Sequence, residues 1–154
     1  MKIGDFVVKT TSTFFYSGYA PFIPGTIGSI LGLFLFYLLK DDSLVYGFFT
    51  FLILILGFLV SGEAERIFKQ KDSRYIVIDE VGGMLLSLAF IPSDIKWVIA
   101  GFIIFRILDA LKPYPAARLQ ELKGSLGVMS DDIVAALYTN IILQIVLRFT
   151  SFKA

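Results

Sequence analysis

The chain has 154 residues, of which 56% are hydrophobic and 18% are charged. An average soluble domain has about 25% charged residues, so this composition, with a mean hydropathy of +0.79, indicates a membrane protein. A net charge of +1 supplies no basic stripe for a nucleic acid, and the absence of cysteine and histidine excludes disulfides, thiol nucleophiles and imidazole bases.

The N-terminal part predicts an interfacial segment. The sequence "TTSTFFYSGYAPFIPG" over residues 10–25 is rich in phenylalanine and tyrosine, which are typical of the boundary between membrane and water. It has no continuous hydrophobic core followed by small residues at a cleavage site, so we expect no removable signal peptide.

Five apolar runs then predict an all-α fold, a polytopic membrane helical bundle. They fall at about residues 26–39, 44–61, 81–91, 95–111 and 133–149. A transmembrane helix needs roughly 20 residues and at least ~17, which the second, fourth and fifth runs supply. The first and third runs reach that length only if the polar or Gly/Pro-containing sequence before them is included. Such sequence is tolerated at membrane depth where it is buried in protein or lines a water-filled cavity. These two short segments indicate a site, and no linker divides the single domain expected over residues 1–154.

Positive charge is distributed unevenly over the two ends of this predicted bundle. With the N-terminus in the cytoplasm, the cytoplasmic side carries more than twice as many cations as the other. They are Lys2, Lys9, Arg66, Lys69, Lys71, Arg74, Arg106, Lys112, Arg118 and Lys123, against Lys40, Lys96, Arg148 and Lys153. The positive-inside rule therefore predicts a multi-pass protein with its N-terminus in the cytoplasm and its C-terminus outside.

The same orientation brings acidic residues from three separate runs to the cytoplasmic face: Asp79, Glu80, Asp109, Asp131 and Asp132. Gathered within ~6 Å, such carboxylates would repel by a few kcal/mol for each pair at an effective dielectric near ~20. A divalent cation is the simplest compensation, and carboxylates favour hard cations such as Mg²⁺.

Each acidic pair also has a simpler interpretation as a helix start. In "SDDIVAAL", Ser130 would be the N-cap and the two aspartates would complement the helix dipole. Asp79 and Glu80 in "YIVIDEVGG" admit the same interpretation, with Gly82 and Gly83 as packing residues. The glycines of "GSLGVM" favour instead a flexible loop beside a site for metal and phosphate.

The stretch "FRILDALKP" carries three charges at intervals of three residues. On a helix Arg106, Asp109 and Lys112 share an arc of roughly 120°. Either basic side chain could extend to the interface, but the short side chain of Asp109 needs a partner. Pro113 ends the helix, because the residue before a proline disfavours the α region.

The stretch "PFIPGTIGSILG" opens the first apolar run. Its backbone N–H groups and the hydroxyls of Thr26 and Ser29 are suited to a phosphate. Gly28 and Gly32 form a small-xxx-small spacing that is typical of helix packing. Packing and phosphate contact both remain open for this stretch.

Taken together, "SGYAPFIPGTIGS", "KDSRYIVIDEVGG", "FRILDALKPYP" and "GSLGVMSDDIVAA" resemble the phosphatidylglycerophosphatase A family over residues 17–136. The positions that match its pattern are Thr26, Gly28, Ser29, Asp72, Asp79, Glu80, Gly83, Arg106, Asp109, Lys112, Pro113, Gly124, Gly127, Met129, Asp131 and Asp132.

The resemblance implies a Mg²⁺-dependent enzyme of the bacterial inner membrane that hydrolyses phosphatidylglycerophosphate to phosphatidylglycerol and inorganic phosphate, with its active site on the cytoplasmic face. Its partner would be the phospholipid substrate in the bilayer, and the oligomeric state stays open. On this hypothesis the metal ligands and catalytic carboxylates are Asp79, Glu80, Asp109 and Asp131, with Asp132 as a further metal ligand, and the substrate contacts are Thr26, Ser29, Arg106 and Lys112. The attacking group is either water or a carboxylate that forms an acyl-phosphate.

Three alternatives accompany this hypothesis. The first is a phosphatase of another lipid phosphate. The second is a small cation or proton transporter, for which charges near the membrane midplane or on both faces are expected. The third is a membrane scaffold in which the acidic pairs only cap helices and divalent cations have no effect.

Overall fold

The computed structural model describes residues 3–151, which fold into seven α-helices and one 3₁₀ turn and contain no β-strand. In chain order these are α1 (Ile3–Ser12), the 3₁₀ turn (Ser17–Tyr19), α2 (Pro24–Leu39), α3 (Ser43–Phe68), α4 (Ile78–Ser87), α5 (Ile95–Leu111), α6 (Ala116–Leu119) and α7 (Ser125–Ser151). The all-α prediction is confirmed. Lys2 and Lys153, which entered the charge count, lie outside the described residues.

The five predicted apolar runs each overlap one of these helices. The third run, residues 81–91, extends beyond the end of α4 at Ser87, and the fifth, residues 133–149, begins after the start of α7 at Ser125. Within residues 3–151, α3 and the part of α7 over residues 125–150 are long and apolar enough to cross a membrane. The other three are shorter, with 16 residues in α2, 10 in α4 and 17 in α5. Two such helices suggest a membrane protein, while the count of five membrane segments stays a prediction.

Helix α4 lies at the centre of the bundle and packs against α2, α3, α5 and α7. Its sequence is apolar around most of its circumference, as in helices that are surrounded by protein. Val81, Met84 and Leu85 are completely buried. The predicted short third segment is therefore a core helix, and its ten residues are covered by longer neighbours.

Glycines allow this close packing. A Cβ atom on Gly82 would lie 2.8 Å from Leu54 of α3, and one on Gly83 would lie 2.7 Å from the ring of Phe105 on α5. On α2, a Cβ on Gly28 would lie 3.0 Å from the carbonyl oxygen of Val77. The packing role predicted for these glycines is confirmed.

Five helix ends meet at one end of the bundle. Gly25 at the start of α2 lies beside Glu80 at the start of α4, and Ser125 at the start of α7 contacts Gly62 near the end of α3. Lys112, directly after α5, pairs with Asp131 of α7. Side chains from several segments are thus delivered to a shared region, which we call the polar end.

Replacing Gly32 by alanine tests the contact between α2 and α4. A Cβ atom there would lie 2.7 Å from the Cβ of Met84 and 3.0 Å from the carbonyl oxygen of Val81, so one of the helices must shift. We expect Gly32→Ala to destabilise the fold by ~1–3 kcal/mol, seen as a lower melting temperature in detergent.

Gly47→Ala in α3 is the matched control, because no atom of the described residues outside this helix turn lies within 4 Å of a Cβ atom at that position. Alanine is favoured over glycine within a helix by roughly 0.5–1 kcal/mol, so this variant should melt at the same temperature or higher. Equal melting temperatures for the two variants would contradict the packing described for Gly32.

Candidate functional site

Three carboxylates converge at the polar end. Asp79 and Glu80 stand in the first turn of α4, and Asp132 comes from α7. One oxygen atom of each lies within 4.8 Å of the others. Asp79 is 6% exposed and Asp132 is 4% exposed, so these charges are largely removed from water. We call Asp79, Glu80 and Asp132 the carboxylate cluster.

Several oxygen atoms of the cluster and of the neighbouring Asp131 have no hydrogen-bond partner among the described residues. They are buried, and they belong to Glu80 (Oε2), Asp131 (Oδ1) and Asp132 (Oδ2). A buried carboxylate oxygen without a partner is costly, because folding removes its water without replacing it. Closely spaced carboxylate oxygens are the ligands that hard divalent cations prefer, so these residues fit a Mg²⁺ ion.

Arg106 and Asp109 border the cluster. Arg106 Nη1 donates to Asp109 Oδ2 at 2.7 Å, so the partner that Asp109 was predicted to need is found one helical turn away. With 26% of its side chain exposed, Arg106 is held within the site by this ion pair.

The absence of a side chain at Gly25 leaves room where Glu80 and Arg106 meet. A Cβ atom at Gly25 would overlap Glu80 Oε1 and would lie 3.4 Å from Arg106 Nη2. The start of α2 therefore forms one wall of the site through its backbone.

Lys112 forms the second cationic border. Its ammonium donates to Asp131, which is 4% exposed, and lies 4.0 Å from Asp72 Oδ2. Burial opposes its positive charge, but the hydrogen bond to Asp131 and the charges of Asp131, Asp72 and Asp109 outweigh it and raise the pKa of Lys112. Lys112 therefore remains positively charged at neutral pH.

The beginning of α7 corrects one expectation. The helix starts at Ser125, so Ser130 is not the N-cap and the aspartates at 131 and 132 are not in the first turn. The loop ends at Gly124, whose φ of +64° suits glycine, and Gly127 packs against the carbonyl oxygens of Gln120 and Leu122. The capping interpretation therefore does not account for Asp131 and Asp132.

The hydroxyl residues of α2 are less accessible than predicted. Ser29 is completely buried, and its Oγ donates to the carbonyl oxygen of Gly25 at 3.1 Å. Thr26 is half-buried in the first turn of the helix. A contact between these two residues and a phosphate stays a prediction.

Two polar residues at the site had no role in the sequence interpretation. Asp72 matched the family pattern, which was a usable signal, but nothing in its local sequence pointed to Lys112. Gln120 carried no signal, because its partner is 48 residues away: Gln120 Nε2 donates to Asp72 Oδ2. Such pairs appear only when two loops are folded together.

Comparisons with known proteins identify the family of this chain. A family model described as phosphatidylglycerophosphatase A matches residues 10–147. Phosphatidylglycerophosphatase A of Escherichia coli is 37% identical over 124 residues, which cover 79% of this chain and 72% of that protein. The protein of the same name from Haemophilus influenzae is 37% identical over 132 residues, which cover 83% and 81% of the two chains.

A protein of Bacteroides thetaiotaomicron carries a different name, "Putative phosphatidylinositol-3-phosphatase". It is 33% identical over 154 residues, which cover 94% of this chain and 96% of that protein. No solved structure matches the chain significantly.

Gly25→Ala tests whether the start of α2 shapes the site. The added methyl group would displace Glu80 and Arg106, and a displacement of about 1 Å can lower a rate by ~100-fold. We expect hydrolysis of a lipid phosphate by this variant to fall at least ~10-fold, while its melting temperature in detergent stays close to that of the unmodified protein. Full activity of Gly25→Ala, measured beside Gly47→Ala, would show that this wall is not needed.

Proposed function

The chain belongs to the phosphatidylglycerophosphatase A family, and from this premise we propose that it hydrolyses phosphatidylglycerophosphate to phosphatidylglycerol and inorganic phosphate. It is a lipid phosphatase. The observation that supports a phosphate monoester as substrate is the carboxylate cluster, with oxygen atoms of Asp79, Glu80 and Asp132 within 4.8 Å of one another and two cations on its border. The choice of this lipid is supported by the two relatives named phosphatidylglycerophosphatase A.

We propose that the cluster holds Mg²⁺ through Asp79, Glu80 and Asp132, with Asp109 and Asp131 as further ligands directly or through water. Mg²⁺, when bound, neutralises the carboxylates and withdraws negative charge from the phosphoryl oxygens. The unpartnered oxygens of Glu80, Asp131 and Asp132 support this assignment, because they face no competing protein donor.

Arg106 and Lys112 bind the substrate in this proposal. Each holds a positive charge next to an acidic residue, Asp109 and Asp131 respectively, on the border of the cluster. A phosphate monoester that enters between them exchanges water for charge-assisted hydrogen bonds from both side chains. Thr26 and Ser29 add contacts from α2 if that helix start opens toward the phosphate.

The reaction breaks the bond between phosphorus and the terminal glycerol oxygen. The attacking oxygen forms a new bond to phosphorus, and the released glycerol oxygen takes up a proton. A carboxylate of the site acts either as the base that takes the proton from water or as the nucleophile itself. In the second case water then cleaves the acyl-phosphate, which releases inorganic phosphate and restores the carboxylate. Acid quenching during turnover of a substrate with a radiolabelled terminal phosphate separates the two routes: attack by a carboxylate leaves the label on the protein as an acyl-phosphate, whereas direct attack by water leaves the protein unlabelled.

The location of the site suits a lipid substrate. The polar end gathers the charges, while α3 and α7 are apolar over a membrane-spanning length. Acyl chains of the substrate can therefore remain in the bilayer while the phosphorylated head group reaches the cluster. We propose that this end faces the cytoplasm in a bacterial inner membrane, in agreement with the positive-inside rule.

A phosphatase of another lipid phosphate is the second candidate. The Bacteroides relative, named for phosphatidylinositol 3-phosphate, matches nearly the whole chain. The cluster and its cations recognise a phosphate monoester and do not by themselves distinguish glycerol from inositol. A transporter is disfavoured, because the charged residues of the site gather at one end of the bundle.

A substrate panel tests the proposed assignment. We expect release of inorganic phosphate from phosphatidylglycerophosphate in mixed micelles with Mg²⁺, and loss of this release when EDTA is added. Faster release from phosphatidylinositol 3-phosphate or phosphatidic acid at equal concentration would transfer the assignment to that lipid. Unchanged activity after exhaustive chelation would remove Mg²⁺ from the proposal.

Charge removal at the cluster tests the metal site. Asp79→Asn and Asp132→Asn preserve shape but remove one ligand charge each, so we expect activity to fall on the order of 100-fold and binding of Mn²⁺, followed by electron paramagnetic resonance, to weaken. Asp41→Asn is the matched control, since its exposed carboxylate pairs with Lys40 away from the polar end. An Asp132→Asn enzyme as active as Asp41→Asn would refute the metal site.

A further inference from the structure

Lys112 lies between two carboxylates of different character. On one side it pairs with Asp131, which is buried. On the other side its ammonium is 4.0 Å from Oδ2 of Asp72, a residue with 38% of its side chain exposed. A lysine ammonium is a compact charge on a flexible stem, so its position depends on both neighbours.

Asp72 is itself held from two directions. Its backbone N–H donates to Glu65 Oε1 of α3 at 2.6 Å, and its Oδ2 accepts from the side-chain amide of Gln120, directly after α6. The oxygen that faces Lys112 is the same oxygen that Gln120 contacts. Lys71 reinforces this connection, because its ammonium donates to the carbonyl oxygen of Glu121 at 3.0 Å.

We propose that Asp72 and Gln120 are positioning residues that hold the Lys112 ammonium at the edge of the carboxylate cluster, where it meets the phosphoryl group of the substrate. This inference rests on the proposed function and extends it to two residues outside the cluster. Gln120 fixes the carboxylate of Asp72. The negative charge of Asp72 then attracts the ammonium of Lys112, so that this ammonium is not paired with Asp131 alone.

The second carboxylate, Asp72, affects how many hydrogen-bond donors of Lys112 are available to a phosphate. Paired with Asp131 alone, Lys112 would direct its donors at one buried carboxylate and present few to an incoming phosphate. A second, more exposed carboxylate at 4.0 Å holds the ammonium between the buried cluster and the solvent. The side-chain amide of Gln120 is a neutral donor, so it holds Asp72 without cancelling the negative charge of this carboxylate. A lysine or arginine at position 120 would cancel that charge.

Asp72→Asn is the informative substitution. Asp72 has a φ of +47°, and asparagine tolerates this left-handed conformation as well as aspartate does. The asparagine carbonyl still accepts from Gln120, so only the charge that faces Lys112 is lost. For phosphatidylglycerophosphate in mixed micelles we expect KM to rise roughly fivefold or more with a smaller change in kcat.

A double-mutant cycle separates positioning from general structure. In a Lys112→Met background, Asp72→Asn should cause no further rise in KM, because the side chain through which it acts is gone. Gln120→Met, which removes the amide donor at similar size, should raise KM less than Asp72→Asn and should also have no effect in that background. Glu121→Gln is the matched control on the same turn, since only the backbone carbonyl of Glu121 takes part.

Two kinetic results would overturn the proposal: an unchanged KM for Asp72→Asn, or an equal effect of this substitution on KM with and without Lys112. Melting temperatures in detergent test the contact between Asp72 and Lys112 independently of the reaction. They are measured for the unmodified protein, Asp72→Asn, Lys112→Met and the double variant. If the unmodified protein hydrolyses no lipid of the panel, the proposed function fails, while non-additive melting temperatures still support the hold of Asp72 on Lys112. Additive melting temperatures would refute that hold.

Discussion

The structure depends on the enclosure of like charges at one end of an apolar bundle. Asp79, Asp131 and Asp132 are each more than nine-tenths buried. Among the described residues, Arg106 and Lys112 are the cations that pair with acidic residues at this site. Repulsion in such a cluster is strong where water is excluded, and carboxylates are retained there at a cost in stability. The glycine-mediated packing around α4 supplies the rigidity that holds these groups together.

This constraint explains why α4 is short and central. A helix that carries Asp79 and Glu80 in its first turn must begin at the polar end, and its remaining residues are covered by four neighbouring helices. Gly28 and Gly32 bring α2 against it, and Gly83 admits the ring of Phe105. The positions of the carboxylates thus follow from close helix contacts, in which small displacements are costly because the interior is densely packed.

Local sequence predicted the parts of the site that depend on spacing along one helix. Apolar runs located five of the helices, and the interval of three residues brought Arg106 and Asp109 together. The predicted start of α7 at Ser130 was wrong. A serine followed by two acidic residues has the local pattern of a helix N-cap, and the prediction relied on that pattern. Tertiary contacts decide otherwise: Ser125 Oγ accepts from the backbone N–H of Gly62 at 2.7 Å, which anchors the helix five residues earlier. The pair of Asp72 and Gln120 was beyond local reasoning for the same reason.

In the proposed function, recognition of the phosphate is separate from recognition of the head group. There the cluster and its cations meet only the monoester, which lipid phosphates share, so selectivity would come from groups around it. The segment between α1 and α2 is the adjacent candidate surface at the polar end. Its Gly18 packs against the backbone of Tyr75, and Tyr19 stacks on the Tyr75 ring at 5.0 Å between centroids. Phe22, 90% exposed, lies two residues before Pro24, the first residue of α2. Relatives that carry names for different lipids are therefore expected to differ in this segment.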